Sequence, residues 1–197
     1  MEKAALGFRV KSGWAMAVLV AESGSAPRII ERSRIELADP RVPDSAQPFH
    51  AGLDLPKAEG ARVVARLVKV VETYSKRSIA DLLKHCQTRG YRINGAGIVA
   101  GSIADPKTIA NDHIRAHAEE GRLFRVVIQG ALKDARVKAS VTPEKELIPK
   151  AVKALRIPES RLKSDLVEMG KAVAGSWRAE EKVAALAGWL ALRESSK

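Results

Sequence analysis

From Pro56 to Val141 the chain alternates between helical and strand patterns, and this alternation restricts it to an α/β architecture. Pro56–Tyr74 places Val63, Leu67, Val70, Val71 and Tyr74 on one helical face, and after a break near Ser75–Ser78 a second helical piece runs to Arg89. Tyr91–Ala100, with Ile93, Ala96, Ile98 and Val99, has the apolar content of a buried strand and closes at Gly101-Ser102. A long helix is expected from Asp105-Pro106, where an N-cap residue precedes a proline tolerated in the first turn. Arg136–Val141 is again of β type. Upstream, Leu6–Val20 is rich in strand formers, with Gly13 as a bulge or kink, and Pro27–Leu37 alternates in polarity. With turn residues Glu22-Ser23-Gly24-Ser25 between them, these two segments predict an antiparallel hairpin.

Residues 38–56 hold Pro40, Pro43, Pro48 and Pro56, an irregular connection with room for a short strand over Gln47–Leu53. Short helices are expected over Pro143–Leu155 and Glu159–Lys171, and a last one over Arg178–Arg193 that buries Val183, Leu186, Ala187 and Leu190. The resulting division is an α/β core over 1–142 and a small helical part over 143–197 packed on it. Aromatic residues make up 4% of the chain, so the core must come from Ala, Val, Leu and Ile. The single cysteine, Cys86, excludes an internal disulfide and suits a reducing compartment. Lys3, Arg9 and Lys11 ahead of the apolar run 13–21 imitate a secretory signal, but the run is short and the segment before it reads as strand. No stretch is long enough to span a bilayer, and a cytoplasmic protein is expected.

The most informative stretch chemically is Asp112-His113-Ile114-Arg115-Ala116-His117-Ala118-Glu119-Glu120-Gly121. Ile109, His113, Ala116, His117, Glu120, Phe124, Val127, Ile128 and Ala131 share one helical side whose ends are apolar and whose middle is two imidazoles and a carboxylate. Polar groups on such a stripe find partners, bind something or line a cavity. His113 and His117, four apart, can converge on one ion, with Glu120 as third ligand or general base, so a divalent metal is one reading. In a second, metal-free reading an imidazole oriented by Glu120 acts as general acid or base. In a third, both histidines are satisfied by carbonyls and Glu120 is paired with a cation. His50, next to Phe49, either joins this set through its loop or is a solvated loop residue.

The formal charge is +11, which favours anionic partners such as nucleic acid. Lys57–Arg92 holds nine Lys/Arg against three Asp/Glu, so six of that excess of eleven lie here. Arg62, Arg66 and Lys69 form a stripe that can track phosphates or be a solvated helix face. Trp14 and Trp177 read as core. Trp189 also reads as core by default, although, lying off the main apolar stripe of its helix, it is open to a partner or to the second half of the chain, and a homodimer is one possibility.

The order strand, strand, a possible short third strand, helix, strand, helix, strand, helix resembles that of ribonuclease H-like domains. Gly7-Phe8-Arg9-Val10-Lys11-Ser12-Gly13-Trp14-Ala15-Met16-Ala17-Val18 is similar to the first hairpin of bacterial Holliday-junction resolvases. Glu180-Glu181-Lys182-Val183-Ala184-Ala185-Leu186-Ala187 resembles their final acidic, alanine-rich helix. The opening Gly-Trp-Ala, Pro48-Phe49-His50-Ala51 and the His-x3-His-x2-Glu-Gly run also resemble a bacterial family that brings no activity with it. The resemblance implies an α/β fold with a mixed ribonuclease H-like sheet flanked by helices. It also implies two-metal nuclease chemistry, which needs an aspartate in the first strand. Here that region reads Arg9-Val10-Lys11-Ser12, and a cation opposes metal binding; Glu31, Glu36, Glu120, Glu180 and Glu181 are the other candidate carboxylates.

The sequence therefore points first to a nucleic-acid-directed protein, for RNA or structured DNA. If catalytic, it is a phosphodiester hydrolase using His113, His117, Glu120 and His50, with Arg9, Lys11 and Arg34 beside Arg62, Arg66 and Lys69 as nucleic-acid contacts. The alternatives are a non-catalytic binding module, or a small-molecule hydrolase or metal-binding protein.

Overall fold

The computed structural model describes residues 1–24 and 26–195. Five strands form one mixed sheet in the order β3-β2-β1-β4-β5. They are β1 (Glu2–Lys11), β2 (Trp14–Ala21), β3 (Arg28–Glu36), β4 (Tyr91–Ala100) and β5 (Ala139–Pro143). The first three pair antiparallel, whereas β4 runs parallel to both β1 and β5. The segment 6–20, expected as one strand, is two, because Ser12-Gly13 turns the chain back on itself. Gly13 takes φ +80°, a left-handed conformation that glycine adopts without strain.

Strand alternation sorts the centre of the sheet between two cores. Leu6, Phe8 and Val10 of β1 and Ala17 and Leu19 of β2 face one way. There they meet α1 (Lys57–Thr88) and α2 (Asp112–Asp134) through Val71, Ile79, Phe124 and Ile128. Ala5, Val18, Val20 and Val99 face the other way. They meet α5 (Ala179–Ser195), which is flanked by α3 (Glu144–Leu155) and α4 (Glu159–Lys171). Burial on both faces is why β1 and β4 read as near-continuous apolar runs. The approach of α5 depends on missing side chains: a Cβ on Gly7 would lie 1.8 Å from the Ala184 carbonyl oxygen, and one on Gly97 would lie 2.3 Å from that of Ala187.

Four local expectations are corrected. The break near Ser75–Ser78 does not exist, because α1 is continuous and Ser75 is buried, its hydroxyl donating to the Leu37 carbonyl at 2.7 Å. The short strand over Gln47–Leu53 is a single 3-10 turn at His50–Gly52. The helix expected from Asp105-Pro106 is there only a 3-10 turn, and α2 starts at Asp112, where the Asn111 side chain accepts from the Ile114 amide at 2.9 Å. The last helix, expected to be exposed around Trp189, is covered by the sheet on one side and by α3 and α4 on others, and Trp189 is buried as its default reading as core expects. Among the described residues no helix is long and apolar enough to cross a membrane.

Candidate functional site

The proline-rich connection after β3 folds back onto the start of α1. A Cβ on Gly60 would lie 2.5 Å from the Gly52 carbonyl oxygen, and one on Gly52 would lie 2.7 Å from a Val64 methyl. This close seat of glycine on glycine presses the His50–Gly52 turn against α1 and carries His50 to the first turns of α2. There the ring centroid of His50 lies 4.7 Å from that of His113 and 4.3 Å from that of His117, and the last two are 4.8 Å apart.

Glu120, one turn further along α2, is fully buried. Its Oε1 lies 2.7 Å from His50 Nδ1 and also accepts from the His50 amide at 3.3 Å. A carboxylate only accepts, so this bond assigns a proton to Nδ1, and in the neutral imidazole Nε2 then carries the lone pair. Two buried atoms of this pair have no hydrogen-bond partner, His50 Nε2 and Glu120 Oε2. His113 and His117 are exposed, so the cluster has a buried anchor and an open mouth. The structure thus brings together all four residues of the composite site. Ile109 is not on their stripe, since it lies in the extended residues before α2.

The candidate phosphate contacts separate into two groups. Arg9 and Lys11 project from β1 toward the α5 side of the sheet, and both are matched. Arg9 is 7% exposed, donates to Glu144 at the start of α3 and bonds the Val10 carbonyl at 3.0 Å. Lys11 lies 3.5 Å from Glu180, and Arg34 is 2.7 Å from Glu36 while stacking on Trp14 at 4.3 Å. Arg62, Arg66 and Lys69, by contrast, are exposed on α1 and form no ion pair among the described residues. With Arg41, Arg77 and Tyr74 they line a groove of about 710 Å³ whose only carboxylate, Asp39, is held by Arg41. Sequence reasoning missed Arg41 and Arg77, whose place in this groove depends on how the 37–56 connection packs beside α1.

The candidate carboxylates do not gather. Glu31 pairs with His85 at 2.9 Å, and Glu181 pairs with Arg32 at 2.7 Å while its other oxygen accepts from the Arg178 amide at the start of α5. Glu180 is held below the usual carboxylate range by a backbone hydrogen bond and, beyond that, by Lys11. Glu120, on α2, is on the opposite side of the sheet from Glu180 and Glu181. These residues do not fit the metal pair that the resemblance implies. Cys86 is buried, and burial pushes its thiol up to about 11, which suits a packing role.

Sheet order, strand directions and the final helix across β1 and β4 are those of a ribonuclease H-like domain. The chain is similar to RuvC from Thermus thermophilus at 10% identity, covering 96% of this chain and 92% of that one with a TM-score of 0.50. It also resembles T. thermophilus RuvC in complex with Holliday junction substrate, with a TM-score of 0.56 and 8% identity over 98% and 95% of the two chains. No family model matches the chain, and no curated protein matches it.

Proposed function

We propose that this chain is a nucleic-acid-directed protein that binds the sugar–phosphate backbone of RNA or structured DNA along α1. The observation that carries this reading is the groove beside Arg62, Arg66 and Lys69, whose charges no described carboxylate neutralises while those of Arg9, Lys11 and Arg34 are matched. The RuvC relative bound to a Holliday junction supports the substrate class through its fold. The test is gel retardation of branched DNA, RNA–DNA hybrid and single-stranded RNA across a salt series. Replacing Arg62, Arg66 and Lys69 together by Ala should weaken binding to all three. On duplex ligands it should also flatten the log–log salt slope by about 0.9 per lost phosphate contact. Unchanged retardation in that variant refutes the reading.

A second reading, phosphodiester hydrolysis at the histidine cluster, is favoured by the His50–Glu120 hydrogen bond. A carboxylate that fixes the tautomer of an imidazole is the usual arrangement of a general base. Denaturing gels of the same reactions read cleavage, with His117→Ala as the control. Binding without cleavage leaves the chain a binding module.

A further inference from the structure

We infer that His50, His113 and His117 form a zinc site, with Glu120 as the partner that orients its buried ligand. The three side chains offer ligand nitrogens that all lie within 4.8 Å of one another, from two separate segments of the chain. Among the described residues this is the only group of three or more His, Cys, Asp or Glu side chains so arranged. Three imidazoles around a tetrahedral zinc at roughly 2.0–2.1 Å stand about 3.3 Å apart. Rotation of His113 and His117 supplies that closure, because both are exposed and one turn apart on α2.

The buried half of the cluster points to a cation independently of the spacing. Glu120 is fully buried, and its Oε1 is bonded by the ring and the amide of His50. His50 Nε2 and Glu120 Oε2 are both buried without a hydrogen-bond partner, which buried polar atoms rarely are. A zinc ion bound at Nε2 gives that nitrogen the partner it lacks, while Nδ1 stays bonded to Glu120. The carboxylate–histidine arrangement is the one that raises ligand basicity and fixes ring orientation in metal sites. Three nitrogens leave the fourth position of a tetrahedral ion without a protein ligand, as in hydrolytic zinc centres rather than structural ones. Imidazole-only donors suit zinc and other late first-row ions and exclude magnesium, the oxygen-seeking ion of two-metal nucleases.

Zinc binding at this cluster is measured without nucleic acid. Chelator-stripped full-length protein is titrated with zinc by calorimetry and with cobalt by visible absorption. One ion per chain is expected, with the absorption of a tetrahedral nitrogen-ligated cobalt. His113→Ala and His117→Ala, both at exposed positions that leave the core intact, should each abolish stoichiometric binding. Glu120→Gln should weaken it by about 10–100-fold. Saturating zinc should also raise the melting temperature of the wild type and leave that of His117→Ala unchanged. Wild-type protein that takes up no stoichiometric zinc, or His113→Ala and His117→Ala proteins that bind it as the wild type does, overturns the proposal and leaves the groove reading standing. Unchanged retardation in the groove variant with zinc binding intact does the reverse.

Discussion

Replacing Gly7 by Ala tests how closely the last helix lies on the sheet. The added methyl would sit 1.8 Å from the Ala184 carbonyl oxygen and 2.5 Å from the Gly188 nitrogen, both backbone atoms that no rotamer change can move. Relief to an ordinary carbon–oxygen contact of about 3.3 Å requires α5 and β1 to separate by about 1.5 Å. A gap of even ~0.5–1 Å forfeits a quarter to a half of the dispersion energy of the atoms lining it. Every residue from Ala184 to Leu192 is buried, against the sheet or against α3 and α4. Overpacking in general costs ~1–3 kcal/mol, and a backbone collision under a whole helix belongs at or above the top of that range, so about 3–4 kcal/mol is expected. That is a large share of the ~5–15 kcal/mol that holds a typical domain together. Gly97→Ala, with its methyl 2.3 Å from the Ala187 oxygen, should behave alike. Gly95→Ala meets nothing nearer than 3.3 Å and should cost under about 1 kcal/mol. Gly121→Ala, inside α2 with nothing within 4 Å, should stabilise by about 0.5–1 kcal/mol through helix propensity. Urea unfolding at constant slope reads all four. A Gly7→Ala protein within about 0.5 kcal/mol of the wild type, or a Gly95→Ala protein equally damaged, would refute the reasoning.

Two further outcomes are expected. Glu144→Ala should destabilise more than Arg9→Met in thermal or urea unfolding, because the first strands a guanidinium with 9% of its side chain exposed whereas the second leaves a carboxylate 43% exposed to water; equal losses would count against a buried pair. The Arg41 guanidinium and amide hold the Asp39 carboxyl down at about 2 instead of 3.8. Any stability it contributes is therefore complete above the unfolded value and is lost as pH falls from 3.8 through about 2, and an NMR titration of Asp39 with a midpoint near 3.8 would contradict the pair.

Sheet content and element order were legible because β1, β4 and the helices between carry strong periodicity. The start of α2 was not, since Asp105 and Asn111 are both good caps and only the tertiary course of residues 101–111 chooses between them. Ser75 looked like a helix break because a serine satisfied by a distant carbonyl cannot be told from a solvated one by pattern alone. His113, His117 and Glu120 could be grouped by helical spacing. The arrival of His50 depends on the contact between Gly52 and Gly60, eight residues apart in different elements, which no local signal announces. The burial of Arg9 had a readable sign, since it shares a strand face with Ala5 and Gly7, but its partner Glu144 lies 135 residues away.

The length of α1 has a mechanical consequence. Its 32 residues extend for about 48 Å at 1.5 Å per residue, while the ten residues of β4 reach only about 33 Å. The helix therefore outruns the strand by roughly 15 Å. Its C-terminal end is moored to the sheet, where Arg89 bonds Glu31 and the Gly90 carbonyl accepts from the Glu2 amide. The excess lies at the other end, where the His50–Gly52 turn braces Gly60 and leaves Arg62 and Arg66 on the exposed side of the helix.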